Sequence, residues 1–323
     1  MRVLSGIQPS GALHIGNYFG AIRQYVALQQ ENDAFYFVAD YHALTSVRDA
    51  SKLRGYVNEV LIDLLALGID PENATLFVQS DVAETTELAW LLTTVIPMGW
   101  LEKCVSYKDK VQQGLPADHG LFAYPVLQAA DILLYDADLV PVGQDQKQHL
   151  EITRDIAERF NHVYGAGSEV FKLPKPYILD TVSVVPGLDG RKMSKSYSNT
   201  IEIFDPPEVI RKKCKKIVTD STPIEAPKNP DTCPVFGLYR LFADAEELGG
   251  VEARYRQGGV GYGEMKTRLA DAIIARFAEP RDQREEWAAH PERVAKVRAD
   301  AAERAKSTAK KVLERARTAC GVG

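Results

Sequence analysis

The sequence has few cysteines and no long apolar run, and each shortage excludes a class of protein. Its 323 residues include four cysteines, which are far apart, at Cys104, Cys214, Cys233 and Cys320. No two of them have the spacing of a metal-binding pair, and no disulfide framework is indicated, so free thiols in a reducing compartment are expected. No apolar run approaches the roughly 20 residues that cross a bilayer, and no basic, apolar leader is evident. These features predict a cytoplasmic protein that does not enter a membrane.

The chain also has no excess of positive charge, which argues against a general nucleic-acid-binding protein. Lys and Arg number 39 against 44 Asp and Glu, which gives a net charge of −5. The charge is uneven, because residues 291–323 hold nine Lys and Arg against four Asp and Glu. A second basic run occupies residues 211–216. Each patch is either a local contact for a polyanion or a solvated helix face, and the sequence alone leaves both readings open.

Short apolar runs that alternate with helical patterns indicate an α/β fold. The runs predict strands at residues 3–5, 34–39, 75–79 and 138–143. Helical spacing of apolar residues predicts helices at about 16–30, 53–64 and 144–160. Strands that alternate with helices imply right-handed crossovers and a doubly wound parallel sheet. Ligands of such sheets bind at the carboxyl ends of the strands, where residues 6–11, 40–42 and 79–80 fall.

The pattern changes twice along the chain and predicts three parts. Residues 1–204 hold the sheet, with a mainly helical insertion at about 84–135. Residues 205–290 are helical with polar connections and are predicted to form a second domain. Residues 291–323 contain one long helix rich in Ala, Lys, Arg and Glu. We find neither an internal repeat nor a low-complexity segment.

A turn that opens the first helix is a candidate phosphate-binding site. It contains Pro9, Ser10, His14, Gly16 and Asn17. Backbone N–H groups at a helix start attract phosphate, and the helix dipole favours an anion there. His14 and Asn17 add hydrogen-bond donors, and Gly16 lets the backbone approach a ligand closely. Taken alone, the same residues fit a tight turn with a capping Asn equally well.

Residues 192–196, which we call the lysine loop, form the second candidate site. Lys192 and Lys195 supply positive charge, and Ser194 and Ser196 supply hydroxyl groups. Nucleotidyl transfer requires charge to be neutralised around phosphorus rather than a covalent catalyst. Glycines upstream of the loop would let it close over a nucleotide. The alternative for the loop alone is an exposed, lysine-rich segment with no catalytic role.

Both motifs, in this order, resemble the two nucleotide-binding signatures of the class I aminoacyl-tRNA synthetases. Segments in the middle of the chain resemble the tryptophanyl branch of that family, at residues 5–11, 40–45, 124–135 and 140–150. The first signature usually ends in His, and Asn17 at that position is familiar in the tryptophanyl branch. The resemblance extends over most of residues 2–235. It implies a Rossmann-type catalytic domain in residues 1–204, a helical tRNA (anticodon)-binding domain in residues 205–290 and a basic helix in residues 291–323.

The resemblance also implies which residues contact ATP. In the first signature and the sheet these are Gln8, Pro9, Ser10, His14, Gly16, Asn17, Gly143, Gln144, Asp145 and Val182. In the lysine loop they are Lys192, Met193, Ser194, Lys195 and Ser196, of which the lysines and serines are expected to be catalytic. Gln144 replaces the Glu common at that position, and Asp145 is expected at the ribose. Because Mg²⁺ would be carried by ATP, the chain is expected to contribute no metal ligand.

The same resemblance implies the residues that contact L-tryptophan, which are Gly6, His42, Tyr124, Gln128, Asp131 and Gln146. Asp131 stands in an apolar stretch, and a buried carboxylate is costly unless it is hydrogen-bonded. An indole N–H would satisfy it, whereas phenylalanine would leave the charge unsatisfied. The alternative is a structural Asp that is paired within the fold. Tyr124 and Gln146 would hold the ammonium group, and Gln128 replaces a Met found in many relatives.

A missing set of cysteines predicts that the protein binds no iron–sulfur cluster. Residues 229–234 resemble a segment that supplies one ligand of a four-iron cluster in some relatives. The stretch 255–265, where the other ligands would lie, contains no Cys. One thiolate cannot hold a cluster that needs four.

The function expected from the resemblance is activation of L-tryptophan with MgATP and transfer of the aminoacyl group to tRNA(Trp) by a homodimer. Three alternatives stay open. A tyrosyl-tRNA synthetase shares the fold and both motifs, and a cofactor-making adenylyltransferase shares the first motif. A non-catalytic synthetase paralogue would act as a binding or regulatory protein.

Overall fold

A five-stranded sheet organises the first part of the computed structural model, which describes residues 1–104, 107–108, 118–143, 147–178 and 184–323. Its strands are β1 (Arg2–Ile7), β2 (Asp33–Val38), β3 (Ala74–Val78), β4 (Leu139–Val142) and β5 (Lys175–Ile178). They lie in the order β3-β2-β1-β4-β5, and every pair is parallel. The strand order reverses between β1 and β4, which is the switch point where such sheets bind ligands. The predicted doubly wound parallel sheet is therefore confirmed.

The first four strands were predicted from their apolar runs, and the fifth was not. In β2 every residue after Asp33 is buried, and all of β3 is buried, as expected for strands covered on both faces. Strand β5 is an edge strand with exposed residues and a proline at Pro176. Proline is tolerated at a sheet edge, where no ladder partner needs its N–H. A short, exposed strand of this kind carries no apolar signal that a sequence analysis can detect.

Helices surround the sheet and continue beyond it. Over the described residues we number the α-helices α1 (Ile15–Asn17), α2 (Arg23–Leu28), α3 (Asp40–Ala43), α4 (Ala50–Ala66), α5 (Glu84–Thr93), α6 (Met98–Leu101), α7 (His119–Leu133), α8 (Lys147–Tyr164), α9 (Pro207–Lys215), α10 (Pro234–Tyr239), α11 (Ala245–Gln257), α12 (Tyr262–Arg276), α13 (Ala278–Ala289) and α14 (Pro291–Cys320). A π-helical segment, Tyr18–Ile22, joins α1 to α2, and 3₁₀ turns occur at Gln79–Asp81 and Lys195–Tyr197. Helix α4 ends just before Gly68, whose φ of 104° suits glycine, as the sequence predicts.

The chain divides into two compact units. Unit 1 comprises residues 1–11, 25–180 and 287–323, and unit 2 comprises residues 12–24 and 181–286. The whole sheet and α14 belong to unit 1, whereas the lysine loop and helices α9 to α12 belong to unit 2. The functional domains predicted at residues 1–204, 205–290 and 291–323 divide the chain differently, and they stay predictions.

Within unit 1, α14 packs against β3 and α5. Its buried face consists mainly of alanines, including Ala301, Ala305, Ala309 and Ala316. Small side chains let a helix approach a sheet closely, so a composition rich in alanine is compatible with a core position. In the same unit, α7 packs against α5 and α8.

Within unit 2, α12 is the central helix, and α9 and α10 pack against it. Leu269, Ala270 and Ile273 of α12 are fully buried. The aromatic ring of Tyr18 meets that of Phe277 edge-on, with ring centroids 5.0 Å apart. These contacts join the π-helical segment to the end of α12. Within the described residues, no helix has the length and apolar character needed to cross a membrane.

Candidate active site

The carboxylate of Asp131 is the centre of a buried hydrogen-bond network in unit 1. Asp131 lies on α7 and is 2% exposed. His42 Nε2 donates to its Oδ2 at 2.8 Å, and Gln79 Nε2 donates to Oδ1 and Oδ2 at 2.8 and 2.9 Å. Burial raises the pKa of Asp131, and the hydrogen bonds from His42 and Gln79 oppose that rise. A carboxylate accepts about four hydrogen bonds, so this one is paired within the fold and still has room for one further donor.

Gln79 is a member of this network to which the sequence analysis assigned no role. It directly follows β3 and is fully buried. Its side-chain Oε1 accepts the backbone N–H of Tyr41 at 3.1 Å. The signal available in the sequence was its position, because residues 79–80 stand at the carboxyl end of a predicted strand. Nothing in the sequence indicated that its partner would be Asp131.

A cavity of about 430 Å³ lies beside the network, among residues of α3, α5 and α7. The cavity wall is largely apolar and includes Trp90, which is 70% exposed. Of the residues predicted to contact tryptophan, His42 and Tyr124 line the cavity. In the described part of the chain, Gly6, Gln128 and Asp131 are not among its lining residues. Asp131 is nevertheless hydrogen-bonded to His42, which lines the cavity.

Tyr124 and Gly6, which are both predicted to contact tryptophan, have close neighbours in the structure. The Tyr124 hydroxyl forms a hydrogen bond with Nε2 of His149, a buried histidine on α8 that the sequence analysis did not select. Gly6 stands near the carboxyl end of β1, where an added Cβ would come within 2.5 Å of the Phe37 ring. Only glycine fits there without displacing Phe37. Gln128 is half-buried on α7.

The first nucleotide motif is divided between the two units. In unit 1, Gln8 is exposed, and its amide donates to the backbone carbonyl of His42 at 3.2 Å. In unit 2, the backbone N–H of His14 donates to Asn17 Oδ1 at 3.0 Å. Asn17 therefore caps the start of α1, which is the structural alternative that the sequence left open. Gly16 is half-buried beside the His14 ring, whereas Pro9 is buried and Ser10 is exposed.

The start of α1 is joined to the segment that follows the lysine loop, within unit 2. Ile15 N donates to Ile201 O at 3.0 Å, and Ile203 N donates to Leu13 O at 3.0 Å. These two bonds form a short antiparallel pairing between stretches almost 190 residues apart in the chain. The helix start and the lysine loop thus belong to one local structure, although only their order was evident from the sequence.

The electrostatics of unit 2 reflect this proximity. His14 is buried, and its pKa is lowered to about 4, mainly by burial and secondly by the positive charge of Lys195. The carboxylate of Glu202 acts in the opposite direction. His14 is therefore neutral near pH 7, and as a neutral imidazole it can donate a hydrogen bond to a phosphate without adding charge.

The lysine loop is held by the buried side chain of Asn199. Its Oδ1 accepts the N–H of Ser194 at 2.8 Å, and its Nδ2 donates to Lys192 O at 3.1 Å and to Asp189 Oδ1 at 2.7 Å. A Cβ at Gly187 would lie 2.3 Å from Asn199 Nδ2, so glycine is required there. Within the loop, Met193 is buried, Ser194 and Lys195 are half-buried, and Lys192 and Ser196 are exposed.

Several predicted residues lie outside the described residues. They are Gln144, Asp145, Gln146 and Val182. Gly143, which precedes three of them, is described and exposed.

The segment that resembles a cluster-ligand segment of some relatives contains a contact between a cysteine and a tyrosine. Cys233 is buried, and its Sγ lies 3.8 Å from the Tyr255 hydroxyl. Burial raises the pKa of Tyr255. Among the residues that the structure describes, no group of three or more His, Cys, Asp or Glu side chains is arranged to hold a metal ion.

Comparisons with known proteins identify similar chains. Residues 1–278 match the family described as class I tRNA synthetases (W and Y). The chain is 53% identical over 322 residues to a tryptophan–tRNA ligase from Rhodopirellula baltica, with 100% of both chains covered. It is 49% identical over 321 residues to a tryptophan–tRNA ligase from Fusobacterium nucleatum, covering 99% of this chain and 98% of the other. Among solved structures, tryptophanyl-tRNA synthetase from Campylobacter jejuni complexed with ADP and tryptophan is similar over 100% of both chains, with a TM-score of 0.91 and 46% identity.

Proposed function

Because this chain belongs to the class I tRNA synthetases of the tryptophan and tyrosine family, we infer that it is a tryptophan–tRNA ligase. The observation that carries this conclusion is the 53% identity to a tryptophan–tRNA ligase along the full length of both chains. The enzyme uses ATP to activate L-tryptophan and attaches the amino acid to tRNA. The tyrosyl alternative is not favoured, because the full-length relatives are tryptophan–tRNA ligases. An adenylyltransferase is not favoured either, since the match extends over the helical part of the chain.

Activation of tryptophan is a nucleotidyl transfer. An oxygen of the tryptophan carboxylate attacks the α-phosphorus of ATP, a new O–P bond forms, and the bond to the bridging oxygen breaks. Pyrophosphate leaves, and tryptophanyl-adenylate is the product. The substrate carboxylate is already ionised at neutral pH, so this step needs no general base. In the second step a ribose hydroxyl of tRNA(Trp) attacks the acyl carbon, an ester bond forms and the bond from the acyl carbon to the phosphate oxygen breaks. AMP leaves, and the hydroxyl proton is released.

The chain contributes positioning and charge to this reaction. We assign Lys192 and Lys195 to neutralise the charge that develops on the phosphates, with Ser194 and Ser196 as hydrogen-bond donors. The hydrogen bonds of Asn199 to the backbone of the lysine loop support this assignment. A loop fixed in this way positions its charges before the reaction, so that no rearrangement is needed in the transition state. The predicted ATP contacts of the first motif and of residues 143–145 and 182 stay proposals. Mg²⁺ would accompany the ATP phosphates.

Asp131 is the proposed acceptor for the indole N–H of tryptophan. Its buried carboxylate retains acceptor capacity after its bonds to His42 and Gln79, which supports this role. Phenylalanine offers no donor and would leave that capacity unmet. Tyr124 is proposed at the ammonium group, while Gly6, His42 and Gln128 would line the site together with Gln146.

Three further statements are proposals that follow from the family. The enzyme would act in the cytoplasm as a homodimer, and tRNA(Trp) would contact the helical residues 205–290 and the basic α14. Light scattering of the purified protein would test the dimer directly.

ATP–pyrophosphate exchange with each amino acid in turn tests the assignment. We expect exchange with tryptophan and essentially none with phenylalanine, which has no donor for Asp131. We also expect essentially none with tyrosine, because the full-length relatives are tryptophan–tRNA ligases. Exchange with tyrosine alone would make the chain a tyrosyl enzyme. Exchange with no amino acid would favour the non-catalytic alternative.

A further inference from the structure

We propose that Gln79 is a positioning residue that orients the Asp131 carboxylate and thereby determines selectivity for tryptophan. The inference rests on the proposed function, because it assigns Asp131 to the amino-acid site. Gln79 reaches the amino acid through Asp131, and its expected effect is on tryptophan recognition rather than on ATP.

The orientation of the Gln79 amide is determined by its surroundings. The backbone N–H of Tyr41 can only donate, so the side-chain oxygen of Gln79 must face it, at 3.1 Å. The amide nitrogen then faces Asp131 and donates to both carboxylate oxygens, at 2.8 and 2.9 Å. A flipped amide would place an oxygen against the carboxylate and an NH₂ against an N–H. Gln79 is therefore an obligatory donor to Asp131.

The turn that carries Gln79 is itself fixed from two sides. Asp40 Oδ1 accepts the N–H groups of Tyr41 and Ser80, both at 3.0 Å, which ties α3 to the turn Gln79–Asp81. On the other side, Arg298 of α14 makes two bonds to the Asp81 carboxylate, at 2.6 and 2.7 Å. Gln79 is fully buried between these anchors. A side chain held in this way can fix the plane of a carboxylate on another helix.

The chemical consequence concerns the ionised form of Asp131. Burial favours the protonated acid, and donors that bond to the carboxylate favour the anion. Without Gln79, Asp131 would keep His42 as its described hydrogen-bond donor and would retain a proton more readily. In a protonated carboxyl group one oxygen becomes a hydroxyl donor, and the carbonyl oxygen that remains is a weaker acceptor for an indole N–H than a carboxylate oxygen. Gln79 therefore keeps the stronger, ionised acceptor available where the proposed function needs one.

Two substitutions at Gln79 separate positioning from packing. Gln79→Glu keeps nearly the same side-chain shape but places a second carboxylate against that of Asp131. As the pH falls, the two carboxylates bind a single proton between them. We expect the KM for tryptophan to rise about tenfold or more at pH 8, because hydrogen bonds to charged groups are strong. At pH 6 a shared proton restores a donor, so the defect should shrink severalfold. Gln79→Met removes the donor at both pH values and should show no such recovery.

Other ionisable groups face the network and are present in every variant. They are Asp40, Tyr41 and His42 of α3, Asp81 beside Gln79, Tyr135 after α7, and Arg298 of α14. Each KM is therefore compared with that of the unchanged protein at the same pH, which removes their shared contribution.

Gln29 provides a matched control for these substitutions. It is also buried and inside unit 1, and its amide donates to Gly68 O at 2.8 Å while its oxygen accepts Asp70 N at 3.0 Å. Gln29→Glu should reduce stability without changing the KM for tryptophan or its pH dependence.

The measurements are the KM values for tryptophan and ATP in pyrophosphate exchange, together with the ratio of tryptophan to phenylalanine activation. We expect the KM for ATP to stay within about twofold and the ratio to fall in both Gln79 variants. A KM for tryptophan unchanged in Gln79→Met, or equal increases for tryptophan and ATP, would overturn the inference while the proposed function stands. Absence of tryptophan exchange in the unchanged protein would overturn the proposed function, and this inference with it.

Discussion

At the scale of single residues, two buried amides position the groups to which we assign the chemistry. Gln79 fixes a carboxylate, and Asn199 fixes the backbone of the lysine loop. Charged residues such as Lys195 and Asp131 could be selected from the sequence, because they stand in segments that resemble the family and their charge has a use at a phosphate or an indole. The role of an amide depends on its partners, and Gln79 and Asp131 are 52 residues apart. Only the packed structure reveals such a pair.

Asn199→Ala tests the positioning of the lysine loop. The substitution leaves Ser194 N and Lys192 O without the partner that now holds them. We expect the rate of tryptophan activation to fall by about one to two orders of magnitude, because small misplacements of catalytic groups are costly. The affinity for tryptophan should be unchanged, since Asp131 and His42 are not altered. Stopped-flow measurement of adenylate formation and calorimetric titration with tryptophan give the two quantities.

Lys212→Ala is the control for that prediction, because Lys212 is an exposed lysine on α9 in the same unit. A loss of tryptophan affinity as large as the loss of rate in Asn199→Ala would contradict a role limited to the loop.

At the scale of elements, the basic helix α14 is more deeply integrated than its composition suggested. Arg298 and Arg315 pair with Asp81 and Asp136 of unit 1, and the alanine face is buried. Part of its positive charge therefore binds the helix to the rest of unit 1. The sequence analysis offered only a contact for a polyanion or a solvated helix face. Lys310 and Lys311 are exposed and form no ion pair with any residue in the described ranges. They are the side chains best placed for an external polyanion.

Reversing the charge at Lys310 and Lys311 tests whether α14 contacts tRNA. If each lysine meets one phosphate, changing both to Glu should weaken tRNA binding and reduce the slope of log affinity against log salt by about two. Pyrophosphate exchange with tryptophan should not change. Filter binding over a range of salt concentrations measures the slope.

The double change Lys52→Glu and Arg54→Glu is the matched control, because both side chains are exposed on α4 and the change in net charge is the same. An identical salt slope in the α14 variant and the unchanged protein would remove this helix from the tRNA contact.

The strands and helices that were predicted correctly are those whose burial produces an apolar pattern in the sequence. Strands β2 and β3 and helix α4 have strong apolar patterns, and they were located to within about three residues. Strand β5 has none, and the π-helical turns at Tyr18–Ile22 cannot be distinguished from an α-helix by apolar spacing. The sequence indicates an element where one face of it, as in α4, or both faces, as in β2 and β3, are buried in a regular way.

At the scale of the whole molecule, stability toward acid depends on groups that are buried without charge. His14 is such a group in unit 2, with a pKa lowered to about 4 against about 6.5 for an unfolded histidine. Between these values the unfolded chain binds a proton that the folded chain does not. The contribution of His14 is therefore complete above about pH 6.5 and is lost progressively as the pH falls toward 4.

His14→Gln should flatten the acid dependence of stability. Glutamine keeps a polar side chain and cannot titrate, so the decline of the urea midpoint between pH 6.5 and pH 4.5 should become shallower. Equilibrium unfolding at four pH values measures this decline. His162→Gln, which changes an exposed histidine of α8, is the control and should leave the slope unchanged. A slope unaltered by His14→Gln would show that His14 is already protonated or solvated in the folded protein.

The position of α14 also affects how the protein is made. Strand β3 is synthesised more than 200 residues before the helix that covers it. A nascent chain on the ribosome therefore presents an apolar strand surface for most of its translation, and the sheet can be sealed only after α14 has emerged. Because β3 is covered so late, the unfinished chain can aggregate during a long interval of its synthesis. Early release of the chain by a premature stop ahead of α14 should accordingly yield a product that chaperones retain, with β3 as the surface they recognise.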